Sequence, residues 1–335
     1  MRRSPWYLVI VTCLALLVAC ASGPETEPEA DEPADPEIGG ETGTAPEKPE
    51  NLLADGERSQ LFFDLDQYTG RYMVARDEGN SRAWTSLHAT VLMPMVERNL
   101  AVLLATAKDP AQPRYRLIAI RALGFGSDLS GDRITPVLID VLDEPVVKFV
   151  NSSLVSLYML GWSETPIEPI VKLLNHPDTL IRSNAALALS RIVRRQRDKA
   201  GDDFEITPTM QEAAGRLMAT AGRPEEDPFV RAHSAAALGA IADPGSAEVL
   251  INLLGDEHMV VRVRAAQSLG SMEQEGAIRP LIAGLGVTES RAEGRIIAAS
   301  LEKIAVALDY PVDKAALGLD QDRWKTWYEA VKRIR

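Results

Sequence analysis

The stretch that decides the fold is Val230-Arg231-Ala232-His233-Ser234-Ala235-Ala236-Ala237-Leu238-Gly239-Ala240-Ile241. Counted from its first branched aliphatic residue, Arg stands at +1, small residues at +4, +5, +7 and +9, Leu at +8 and an apolar residue at +11. Val261-Arg262-Val263-Arg264-Ala265-Ala266-Gln267-Ser268-Leu269-Gly270-Ser271-Met272 repeats the pattern, as does Ile181-Arg182-Ser183-Asn184-Ala185-Ala186-Leu187-Ala188-Leu189-Ser190-Arg191-Ile192. An earlier copy runs from Arg116 through Ala119, Ala122 and Leu123 to Gly124. A degenerate one is read from Val147-Lys148 to Leu160-Gly161, and a terminal one from Arg295 to Ile304. Apolar positions at helical spacing predict helices, and their recurrence predicts an array. Ala and Gly on one face let a neighbouring helix approach its backbone, while Leu and Ile fill the layer between.

A second helix is predicted in each copy. Ala247, Leu250, Ile251 and Leu254 fall at i, i+3, i+4 and i+7, as do Ile167, Ile170, Val171 and Leu174. Asp227-Pro228 and Glu144-Pro145 place a capping carboxylate before Pro at a first helical position, and Asp178 fits the same role. The spacing breaks once, between Arg182 and Arg231, where the surplus falls in residues 194–227. We expect an elongated first helix there, a polar loop, and a second helix over 206–221. Arg191, Arg194, Arg195, Arg197 and Lys199 cluster in this surplus. Cations at a helix C-terminus complement the dipole, and they also form a possible basic patch for an acidic partner or lipid head groups.

This asymmetric pattern resembles HEAT repeats, including the HEAT-like repeats of phycobilin lyases, over roughly residues 83–305. The resemblance implies an all-α fold, an α-solenoid wound as a superhelix, whose second helices line an extended face for protein contacts. The polar positions of those helices are then the partner-binding candidates: Asp140, Glu168, Lys172, Glu248, Asn252 and Arg279. Their signs are mixed, so no simple charge complement is implied.

Both ends of the array read as caps. Residues 58–78, with Leu61, Phe62, Leu65, Tyr68 and Tyr72, predict a leading helix, and residues 320–335 a final one with Trp324, Trp327, Tyr328 and Val331 in one stripe. Terminal repeats need a lid over an open core. A sugar-stacking platform is the other reading of Trp324 and Trp327, and it requires both rings to be exposed.

The first residues read as an address. Arg2 and Arg3 precede a 14-residue stretch, 6–19, that is apolar except for Thr12. A helix needs roughly 20 residues to cross a hydrocarbon core of ~30 Å, so this length suits a signal-peptide core instead. The stretch ends Leu17-Val18-Ala19-Cys20, which resembles the bacterial lipobox. The resemblance implies lipidation at Cys20 after cleavage, and Ala21-Ser22 after it favours the outer membrane facing the periplasm in a Gram-negative host. Two or three acyl chains anchor stably, at ~0.8 kcal/mol per buried CH₂. Residues 21–50 hold ten acidic residues, one Lys and six Pro, too little apolar surface to offset the entropy of ordering. The expected layout is a signal peptide over 1–20, an acidic disordered tether over 21–57, and the helical array over 58–335. Cys13 lies in the signal, so the mature chain has no disulfide.

Of the 335 residues 46% are apolar, enough for a long array, and the formal charge of -12 argues against nucleic acid as a partner. His88, His176, His233 and His258 have no metal-ligand spacing, and no phosphate loop or nucleophile elbow occurs. The expectation is a membrane-anchored, non-catalytic protein-binding scaffold with no cofactor and no metal. An accessory lyase-like enzyme and a glycan-binding module are the alternatives.

Overall fold

The computed structural model describes residues 53–334, and all the described elements are helices. The described residues form two compact units, divided between Val91 and Leu92. In the first, α1 (Asp55–Asp77) starts three residues before the expected 58. It buries Phe62, Leu65, Tyr72 and Ala75. Tyr72 meets Trp84 edge-on, with ring centroids 6.2 Å apart, and the Arg76 guanidinium lies over both rings. Asn80 caps the short α2 (Ser81–Ser86) by accepting the Ala83 N–H.

The second unit is an array of helix pairs. After α3 (Met93–Arg98) and α4 (Leu100–Lys108), the first helices are α5 (Pro113–Leu123), α7 (Val147–Leu160), α9 (Thr179–Ala200), α11 (Pro228–Ile241), α13 (Met259–Met272) and α15 (Arg291–Ala307). The second helices are α6 (Gly131–Asp140), α8 (Glu168–Lys172), α10 (Pro208–Ala221), α12 (Ala247–Asn252), α14 (Ile278–Val287) and α17 (Gln321–Ile334), the last preceded by the one-turn α16 (Lys314–Leu317). Each first helix packs on the next, and the second helices α6, α8, α10, α12 and α14 each pack against the first helix that follows them. This is an α-solenoid.

The +8 Leu marks the register. Leu123, Leu157, Leu189, Leu238, Leu269 and Leu301 all have 0% exposure, one in each first helix. Counting back from them corrects two copies. In α7 the first position falls on Phe149, not Val147, and Val150 stands where Arg was expected. In α15 it falls on Glu293 and Gly294, not on Arg295.

The small residues form the seam between neighbouring first helices. A Cβ on Gly239 would lie 2.5 Å from Ser268 Cβ, one on Gly270 2.8 Å from Ser300 Cβ, and one on Gly124 2.8 Å from the Ser156 backbone. The serines use the approach. Ser156 Oγ donates to the Ile120 carbonyl (2.8 Å) and Ser268 Oγ to the Ala235 carbonyl (2.7 Å), the same position one repeat back. A hydroxyl that donates to a free carbonyl lone pair is satisfied although buried.

The recurring Arg at +1 ties each repeat to the next. Arg116 pairs with Glu144, Arg182 with Glu226 (2.8 Å), Arg231 with Asp256 (3.0 Å) and Arg262 with Glu293 (2.7 Å). Each guanidinium also donates to backbone carbonyls nearby, as Arg262 does to Asp256 (2.8 Å) and Glu257 (3.0 Å). The planar fork of five donors suits this double duty, which a Lys could not perform. At the junction where Val150 replaces Arg, the Asn184 amide donates to the Asn151 amide oxygen. The corresponding positions one junction further on are Ser183 and His233, joined at 2.8 Å.

This ladder explains a misplaced cap. Glu144 does not cap α7, whose N-cap is Val146, because Arg116 holds its carboxylate. Asp178 and Asp227 do cap, each accepting two backbone N–H groups. The second helices α6, α8 and α12 tighten into 3-10 turns at Val141–Asp143, Leu173–Asn175 and Leu253–Gly255. In α12 the buried position falls on Leu253, three after Leu250, whereas in α8 it stays on Leu174, four after Ile170. α10 begins at Pro208 rather than 206, where the Thr207 hydroxyl accepts the Met210 N–H. No single helix among the described residues is long and apolar enough to cross a membrane.

Candidate binding surfaces

The second-helix candidates face solvent. Asp140, Glu168, Lys172, Glu248, Asn252 and Arg279 are all exposed. Asp140, Lys172, Glu248 and Asn252 make no side-chain hydrogen bond or ion pair among the described residues. Glu168 accepts from Thr209 Oγ1 at 3.2 Å. Arg279 is engaged: it pairs with Glu329 of α17 at 3.1 Å and lies over the Tyr328 ring. Buried apolar residues beneath them, such as Ile170, Val171 and Leu250, hold these helices in place.

The five cations of the surplus do not act as one patch. Arg195 pairs with Asp128 at 2.6 Å, and Lys199 pairs with Glu164 at 2.5 Å. Arg191 lies beside Gly161, where a Cβ would come within 2.9 Å of its Nε. These three tie α9 back to the preceding repeats. Arg194 and Arg197 instead line a notch of about 410 Å³, together with Asp198, Asp202, Glu273 and Lys303.

Helix lengths make the notch. α9 has 22 residues, α11 and α13 have 14 each, and α15 has 17. Their first turns are in register, so α9 overshoots its neighbours by about 12 Å and α15 by about 4.5 Å at 1.5 Å per residue. The short helices end on the notch floor at Gly239, Ala240, Ser271 and Glu273. Glu273 is held at φ 56, the left-handed region that favours Gly, and Gly161 occupies the equivalent place after α7. The cations are visible in the sequence but the notch is not, because helix rotation decides which of them face it.

The C-terminal aromatic residues form a lid, not a platform. Trp324 is fully buried, donates its indole N–H to the Gly318 carbonyl (3.2 Å) and meets Trp327 edge-on at 5.3 Å. Trp327 is half-buried and donates to the Pro311 carbonyl at 2.7 Å. The two free ring faces that sugar stacking requires are therefore not presented.

The histidines stay apart. His176 Nδ1 accepts the Asp178 N–H in a turn, and His258 lies beside Arg231 and Asp256. His88 lies near Tyr72 in the first unit, where burial lowers its pKa. His233 is buried, and burial, helped by the Arg264 charge, lowers its pKa to about 4. Among the described residues no group of three or more His, Cys, Asp or Glu could hold a metal ion. Cys20, the signal and nearly all of the expected tether lie outside the described residues.

Family models agree with the helical-repeat reading. Models of the HEAT repeat match residues 217–302 and 167–196, so the chain carries HEAT repeats there. No curated protein matches. Among solved structures, an engineered protein is similar at 19% identity, covering 62% of this chain and 97% of its own, with a TM-score of 0.48. A designed armadillo repeat protein in complex with the peptide (KR)4 is similar at 16% identity, 61% and 99% coverage and a TM-score of 0.48. A phycocyanin lyase complex from Nostoc gives 17% identity, 69% and 94% coverage and a TM-score of 0.37.

Proposed function

We propose that this chain is a lipid-anchored scaffold that binds other proteins in a bacterial cell envelope, without catalysing a reaction. The observation that carries the binding role is the row of exposed second-helix side chains, Asp140, Glu168, Lys172, Glu248 and Asn252, mounted on a closely seamed array. Surfaces of stacked repeats suit long, shallow contacts with protein partners. The anchor rests on the N-terminal sequence: a basic start, a short apolar core and Leu17-Val18-Ala19-Cys20. Acylation of Cys20 would place the array at the membrane, with the acidic Pro-rich residues 21–57 as a spacer. Ala21 and Ser22 favour the outer membrane, facing the periplasm, in a host that has one.

Two experiments test this. Labelling with a fatty-acid analogue should mark the native chain and not Cys20→Ser; equal labelling would end the anchor reading. Crosslinking in intact cells, read by mass spectrometry, should capture the same proteins with the native chain and lose them when Glu168, Lys172 and Glu248 are reversed in charge. Unchanged capture would remove the second-helix face from the proposal.

A further inference from the structure

The charges around the notch are unspent. Among the described residues the side chains of Arg194, Asp198, Asp202, Glu273 and Lys303 make no hydrogen bond or ion pair, and Arg197 only lies over the Phe204 ring at 6.0 Å. Elsewhere in the same array the carboxylates and guanidiniums of the ladder are tightly matched. Arg194 and Asp198 stand four residues apart on one helix, the spacing at which opposite charges can pair, and they do not.

The notch is also polarised. Its floor is the C-terminal end of two helices, α11 and α13, where the last carbonyls have no intrahelical partner and carry partial negative charge. Glu273 adds a full negative charge there. Arg194 and Arg197 stand on one wall, interleaved with Asp198 and Asp202, and Lys303 stands on the other. An inorganic anion would meet the floor and three carboxylates. A polycation would meet three cationic side chains. A ligand with a central ammonium and carboxylates on either side satisfies both.

We infer that this notch is a binding site for a short zwitterionic peptide segment, in which a Lys or Arg side chain is flanked by Asp or Glu. The ammonium or guanidinium sits over the Ser271–Glu273 end of the floor, and the flanking carboxylates reach Arg194 and Arg197 on one side and Lys303 on the other. The volume of about 410 Å³ lies within the range of small-ligand sites. This site lies at the ends of the first helices, so it stands or falls independently of the second-helix face.

The test uses the full chain and the capped tripeptide Asp-Lys-Glu, with capped Lys-Lys-Lys, capped Glu-Glu-Glu and inorganic phosphate as comparisons, at low ionic strength by calorimetry. Asp-Lys-Glu should bind saturably and at least tenfold more tightly than each comparison. Arg194→Ser with Arg197→Ser, and separately Glu273→Gln, should each weaken it about tenfold, whereas Arg279→Ser should leave it unchanged. A benzophenone group on the tripeptide should label residues 194–202 or 271–303. Absent saturation, equal binding of phosphate or Glu-Glu-Glu, indifference to the variants, or labelling elsewhere would each overturn the assignment. The labelling result does not depend on how well the variants fold.

Discussion

Arg262 grips Glu293 with two parallel hydrogen bonds, Nε to Oε1 at 2.7 Å and Nη2 to Oε2 at 2.9 Å, across the junction between α13 and α15. Glu293 is 2% exposed, so its charge depends on this fork. Thr288 Oγ1 supplies a further hydrogen bond to the same carboxylate (2.9 Å). Arg262→Ala is expected to lower stability by about 2–3 kcal/mol, because it strands a buried carboxylate. Arg262→Met with Glu293→Leu should recover most of that loss. Urea unfolding of the single and double variants measures both, and additive losses would show that the pair is not coupled.

The seam makes opposite predictions for two glycines. Gly239→Ala drives a methyl group to 2.5 Å from Ser268 and should cost about 2 kcal/mol. Gly215→Ala lies in the exposed middle of α10 with nothing within 4 Å, and should stabilise by about 1 kcal/mol. Thermal unfolding followed by circular dichroism reads the signs. Two shifts of the same sign would contradict the packing described here.

His233 gives the protein an acid sensitivity. Its pKa is about 4 when folded, lowered by burial and by Arg264, against an ordinary value of 6.5. Above pH 6.5 the ring is neutral in both states and contributes no pH dependence. Between pH 6.5 and 4 only the unfolded chain takes up the proton, so stability falls with falling pH by about 1.4 kcal/mol per unit. His233→Gln cannot ionise. The difference between native and variant stability should therefore change by about 3 kcal/mol across this window and level off below it. A constant difference in urea melts at pH 7, 5.5 and 4 would refute the account.

Glu273 sits in a left-handed conformation without the freedom of Gly. Glu273→Gly removes about 1–2 kcal/mol of strain and adds about 0.5–1 kcal/mol of unfolded-state entropy, for a net gain of about 0.5 kcal/mol. The same substitution should abolish selective Asp-Lys-Glu binding. Loss of stability in urea melts would mean that the carboxylate, not the backbone, governs this turn.

Much of the array was readable because its signals are local. The +8 Leu and the small residues at +7 and +9 recur on one helix face, and Asp178 and Asp227 cap within three residues of their partners. The ladder was only half readable. Its arginines recur at one position, but the acids that answer them lie 28, 44, 25 and 31 residues further on. No fixed spacing betrays such partners. Glu144 before Pro145 imitates a cap, and the degenerate copy expected from Val147 takes its register from Phe149 instead. The second-helix candidates could be placed on exposed faces from periodicity alone, except that the α17 contacts of Arg279 required the folded chain.

The notch is made by subtraction. No side chain was carved to hollow it out; α11 and α13 simply stop at Ile241 and Met272 while α9 continues to Ala200. Inserting one further turn of helix ahead of Ala242 would plug the space and leave every wall residue as it is. Counting residues per helix is thus as much a handle on this cleft as choosing which residues they are.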